Sequence, residues 1–251
     1  MSQHRNVSFG LALAGGCLLA ARAVVAADFD QGFLDDYSKL QPRTAGEVSD
    51  LFYGAPDLFT RISAYTGVAL DQPEILISPD SPYKGGKPDD MAQIAELMRT
   101  ALAEQLTKGG YNVVDARGPG VIYVRLALTD LEMTKKKRGL LSYTPVGVVV
   151  KAGTDAIKET LDKVDITRMT LQAELLDGAS GELLAALVVA RDTPPGEKAV
   201  RIDFDELAAL VNEYGARMRC GLDNARVAPE QQINCLDPAA RAVKYGGATT
   251  Q

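Results

Sequence analysis

The sequence predicts an α/β fold of the α+β type: a single layered domain in which two principal helices pack on a mixed sheet of about five strands. Apolar residues recur at helical spacing over about 89–108 and again after Asp203, whereas 121–133 and 166–176 alternate with the period of a strand that buries one face. The order strand, helix, strand, strand, hairpin, helix then favours helices layered on one sheet.

From Asp28 to about Gln72 the pattern is irregular. Short apolar clusters, Phe33-Leu34-Tyr37-Leu40 and Leu51-Phe52-Tyr53, are broken by Gly and Pro, so 28–72 reads as an N-terminal wrap. Glu74-Ile75-Leu76-Ile77 reads as a buried strand closed by Ser78-Pro79-Asp80-Ser81-Pro82. In the following helix Met91, Ile94, Leu97, Met98, Ala101, Leu102 and Leu106 form the buried stripe. Asp89 and Asp90 suit its positive start, and Gly109-Gly110 supplies a left-handed end. Tyr111-Asn112-Val113-Val114 is a short strand.

Over 121–133, Ile122, Val124, Leu126 and Leu128 lie on one face and Tyr123, Arg125, Ala127 and Thr129 on the other. Leu131 and Met133 break that phase, which predicts a bulge near Asp130. Residues 155–165 read as a helix. The 166–176 strand turns Met169, Leu171, Ala173 and Leu175 inward against Thr170, Gln172 and Glu174. It joins 183–190 through the turn at Asp177-Gly178-Ala179-Ser180-Gly181-Glu182. Asp203 with Glu206 forms a capping box for the last helix, whose stripe is Phe204, Leu207, Leu210, Val211, Tyr214 and Met218. The tail, 236–251, reads as loose.

Ahead of this domain, Arg5 precedes an uncharged run from Val7 to Ala21, too short to span a bilayer comfortably, and Val24-Val25-Ala26-Ala27 provides small residues for signal peptidase. Residues 1–27 are therefore expected to be a signal peptide and 28–251 the mature chain, periplasmic or associated with the outer membrane. Ala14-Gly15-Gly16-Cys17 offers a second route, lipidation at Cys17, although it lacks the usual leading Leu and a polar tether; both routes stay open. Loss of Arg5 and Arg22 leaves 25 basic against 33 acidic side chains, a charge of about −8, which argues against nucleic acid as a partner. Cys220 and Cys235, an even pair in an oxidising compartment, are expected to form a disulfide.

The mature chain would contain no histidine, since the only one is His4, which removes Ser-His-Asp, Cys-His and histidine-metal chemistry. No cofactor or metal is expected. Ser81-Pro82-Tyr83-Lys84 matches an S-x-x-K pattern, but Pro82 and Gly85-Gly86 place it in a loop instead of at a helix start. Asp35-Asp36 and Asp89-Asp90 read as solvated charge and helix N-terminal acid. Lys135, Lys136, Lys137 and Arg138, beside the apolar stretch 139–150, form a candidate contact for an acidic partner or anionic lipid, with a solvated loop as the plain alternative.

Several segments resemble a family of secreted bacterial proteins, many of them lipoproteins, known as domain of unknown function 3313. They are Gly32 to Leu40, the helix ending in Gly110-Tyr111-Asn112-Val113-Val114-Asp115, Gly118-Pro119-Gly120-Val121, and Glu174 to Ala186. The resemblance implies an envelope location and a shared fold, and it carries over no catalytic residue. The function expected is that of a non-catalytic binding or assembly factor whose partner is an envelope protein or a peptidoglycan-associated one, with peripheral membrane contact. The alternatives are a carboxylate-based periplasmic hydrolase and a carrier of small apolar ligands.

Overall fold

A computed structural model describes residues 29–45, 48–83, 88–135, 164–192 and 204–245. Among them are eight strands and four α-helices, where about five strands and two helices were expected. Strands β1 (Gln41–Ala45) and β2 (Val48–Gly54) precede the short helix α1 (Leu58–Ser63), β3 (Gly67–Leu70) and β4 (Glu74–Ile77). Helix α2 (Pro88–Lys108) leads to β5 (Asn112–Val114) and the long strand β6 (Val121–Lys135). The hairpin β7 (Val164–Asp177) and β8 (Leu183–Asp192) precedes α3 (Phe204–Asn224) and a last helix α4 (Pro238–Tyr245).

The strands form one mixed sheet in the order β1-β2-β8-β7-β6-β3-β5. Strand β6 is long enough to take two parallel neighbours in tandem along one edge: Val121–Val124 pair with β3 and Ala127–Leu131 with β4. The segment expected to be an irregular wrap therefore supplies three strands and a helix, and residues 29–40 stay irregular. Its apolar clusters were too short to show a period. Strand β4 has the expected bounds but lies at an edge with Leu76 40% exposed, so it is not the buried strand expected. Val164 and Asp165, read as the end of a helix, begin β7; the rest of that reading, 155–163, lies outside the described residues.

One sheet face carries the helices. Ile94, Met98 and Ala101 of α2 and Leu207, Val211 and Tyr214 of α3 pack with Leu128, Leu131, Met133, Met169 and Leu171 of the central strands. Asp130, at a positive φ of 51°, is the bulge that lets Leu131 and Met133 rejoin the face of Leu128. Helix α2 ends as its sequence predicts. Gly110 is at φ 76°, its N–H donates to Thr107 O, and the Tyr111 N–H reaches Leu106 O, which caps the last carbonyls.

The other face is not open to water, as the alternation implied. Residues 29–40 lie across it as a strap, with Phe33, Leu34 and Leu40 against Ala127, Ala186 and Val188. Thr129, Thr170, Gln172 and Glu174 are consequently buried. The strap satisfies much of this polar face. Gln172 Oε1 accepts from Tyr37 Oη at 2.7 Å, and its Nε2 donates to Asp30 O and Thr129 Oγ1. Glu174 accepts from Asp35 N and from Arg125 at 2.6 Å. Each such group left bare would cost about 1–3 kcal/mol, so strap and sheet depend on each other.

Sheet width decides what the helices leave uncovered. Seven strands lie side by side, about 29 Å between the outer axes at a spacing of ~4.8 Å. Two packed helices shield only about 20 Å of that.

Candidate functional site

Where that cover runs out, a cleft of about 690 Å³ lies between the sheet and α3. Its floor is apolar: Phe52 of β2, Leu126 of β6, Leu171, Ala173 and Leu175 of β7, and Ala185 and Leu187 of β8. Helix α3 supplies a wall of Val211, Tyr214, Gly215, Met218, Gly221 and Leu222, all on one helical stripe. Leu58, Phe59 and Ile62 of α1 form the rim, where Phe59 is 51% exposed. The stripe contains two glycines with different roles. A Cβ on Gly215 would meet Gln105 of α2 at 3.0 Å, so this glycine lets the two helices approach, whereas a Cβ on Gly221 would meet nothing within 4 Å.

The remaining wall is the chain from Ile233 to Leu236. The Cys220–Cys235 disulfide, with a Cα separation of 5.7 Å, ties it to α3, as the cysteine count predicts. Asn224 clamps the same segment, donating from Nδ2 to Ile233 O at 2.8 Å and accepting from Ile233 N at 3.1 Å. The tail is not loose where it is described. Arg241 of α4 donates to Cys235 O and to Glu213, and Tyr245 Oη donates to Asp223 Oδ2 at 2.8 Å. Residues 246–251 lie outside the described part.

Among the described residues, three charged side chains line the cleft: Arg43, Asp50 and Arg217. Arg43 and Asp50 pair bidentately at 2.9 Å, and the Arg43 guanidinium lies 4.2 Å from the centre of the Phe52 ring. Arg217 Nε donates to Glu213 Oε1 at 2.9 Å, while its Nη1 is buried without an acceptor.

The family model for proteins of unknown function, DUF3313, matches residues 30–218, from the strap into α3. The chain belongs to this family. No curated protein matches it. Among the solved structures similar to it are two of PelC from Paraburkholderia phytofirmans. A PelC variant dodecamer is 13% identical, covering 64% of this chain and 89% of that one at a TM-score of 0.32; a second PelC dodecamer is 14% identical, with 68% and 94% covered at the same TM-score.

In this DUF3313 protein none of the other candidates among the described residues lines the cleft. Lys135 closes β6, and Lys136, Lys137, Arg138 and Cys17 lie outside the described residues, as do the leader 1–27 and the capping residue Asp203. Ser81 is buried, donates to Tyr83 O and accepts from Met133 N at 2.9 Å, so its hydroxyl fastens a loop to the end of β6. Asp36 accepts from the Ser38 hydroxyl and amide, which hold it below the ordinary carboxylate range. Glu96, Glu182 and Asp177 are likewise lowered, by Arg99, by Arg61 and, to about 2, by the Tyr65 hydroxyl with the Ser180 amide. None of these carboxylates lines the cleft. Its apolar residues went unnoticed in the sequence because they read as ordinary core. The available signal was Gly221, a glycine on a helical stripe where a core side chain belongs.

No described helix is long and apolar enough to cross a membrane.

Proposed function

We propose that the protein is a non-catalytic binding protein of the bacterial envelope, exported by its leader as one mature domain, and that the cleft beneath α3 is its binding site. The observation that carries this reading is the cleft itself. Its size lies within the range of small-molecule sites, roughly 300–1,000 Å³, and its lining is overwhelmingly aliphatic and aromatic. A hydrolase would need carboxylates converging there with raised pKa values. Among the described residues, the carboxylates whose pKa values are displaced lie elsewhere, and all are displaced downward. The expected binding role and the alternative of an apolar-ligand carrier thus meet in one site.

The neutral dye N-phenyl-1-naphthylamine, which fluoresces in apolar surroundings, tests the reading. The full chain is expected to bind it with a blue-shifted emission. Gly221→Leu, which projects a side chain into the cleft, is expected to weaken that binding by about tenfold or more while leaving the far-ultraviolet circular dichroism unchanged. Absence of a dye signal with the natural chain, or equal binding by the variant, refutes the assignment.

A further inference from the structure

Among the described residues the cleft has one excess positive charge, and it sits on a side chain that is incompletely bonded. Arg43 and Asp50 neutralise each other across two hydrogen bonds, so the charge that remains on the lining is that of Arg217. Arg217 does have a carboxylate beside it, yet that carboxylate is shared. Glu213 Oε1 accepts from Arg217 Nε and also from Arg241 Nη2, so two guanidiniums face a single negative charge. Arg217 Nη1 is left buried with no acceptor, an arrangement that a protein interior tolerates poorly. The rest of the cleft lining is largely apolar.

We infer that the cleft of this protein takes a single-chain amphiphile with a carboxylate head, a long-chain fatty acid, whose alkyl tail lies along the α3 stripe and whose head pairs with Arg217. This rests on the reading of the cleft as the binding site. A fatty acid supplies both things the site lacks: apolar volume to fill the space beside Gly221, and a second negative charge for the two guanidiniums that share Glu213. The carboxylate would balance the uncompensated guanidinium charge, and ion-assisted hydrogen bonds of this kind are the stronger ones. An alcohol of the same length fills the same space without the charge. An amine of the same length brings a cation to a cation.

Isothermal titration of the full natural chain with palmitate, hexadecanol and hexadecylamine, kept below their aggregation limits, separates these cases. Palmitate is expected to bind about tenfold or more tightly than hexadecanol, and hexadecylamine most weakly of the three. Arg217→Met is expected to reduce palmitate affinity to that for hexadecanol while keeping the far-ultraviolet circular dichroism of the natural chain; Arg217→Lys should restore part of the difference. Because the three-ligand comparison uses the natural chain, it stands even if an Arg217 variant folds poorly. Equal affinity for the three amphiphiles, or dye binding with no palmitate binding, overturns the carboxylate inference and leaves the cleft reading in place. Failure of both dye and palmitate to bind removes the cleft reading itself.

Discussion

Tyr111 and Tyr245 share one carboxylate, Asp223, each phenol donating to a different oxygen, at 2.7 and 2.8 Å. Burial, then this hydrogen bond, raises both phenols above the ordinary tyrosine value near 10. Arg226 over the Tyr111 ring and Arg219 over the Tyr245 ring oppose that rise without reversing it. The folded state thus prefers the neutral phenols, so their contribution to stability is complete below about pH 10 and is lost as the pH climbs toward the raised values. Urea unfolding followed from about pH 8 to about pH 11 is expected to show stability falling above pH 10, with a shallower fall in Tyr111→Phe. The same fall in both proteins would show that the pair does not govern it. None of this was legible in the sequence: Tyr111 and Asp223 stand 112 positions apart, and no local pattern brings them together. Asp130 is the opposite case, because a bulge residue shifts the phase of its own strand and so announces itself.

Among the elements, those defined by their own period were legible. Helix α2 and its glycine end, the β7–β8 hairpin and the bulged strand β6 stand where the sequence puts them. Strands β1, β2 and β3 were missed because short segments with little alternation take their form from the strand beside them, as β2 does from β8. The polar face of β7 was assigned to solvent for a similar reason: alternation tells which residues share a face but not what covers it. The C-terminal segment shows a third case, an element held by a cross-link. With a separation of 15 residues, the Cys220–Cys235 bridge should stabilise the fold by about 3 kcal/mol, chiefly by restricting the unfolded chain. The Cys220→Ser, Cys235→Ser double variant is therefore expected to unfold at a lower urea concentration, and reducing the natural protein should reproduce the shift. Because Ile233 to Leu236 wall the cleft, the double variant should also bind N-phenyl-1-naphthylamine more weakly. An unchanged urea midpoint would mean that Asn224 and Arg241 hold the segment without the bridge.

For the molecule as a whole, the cleft follows from a mismatch of widths that no single segment reveals. A sheet of about five strands, as expected from the sequence, would be nearly covered by two helices; the three strands that the N-terminal region adds widen it past what α2 and α3 can shield. Such a chain exposes apolar surface by construction, which suits the proposed role as a binding protein of the envelope. Export is the condition on which that reading depends, because Cys220 and Cys235 pair readily only where the compartment is oxidising. Osmotic-shock fractionation of cells producing the full 251-residue chain is expected to release a species shortened by about 27 residues, with Cys220 and Cys235 protected from alkylation until reductant is added. Retention of that oxidised species in the membrane fraction, with a palmitate label lost on Cys17→Ser, would assign the second route and keep the envelope location. Recovery of the intact chain from the cytosol, with both thiols free to alkylate, would remove the location and with it the reason for an oxidised wall to the cleft.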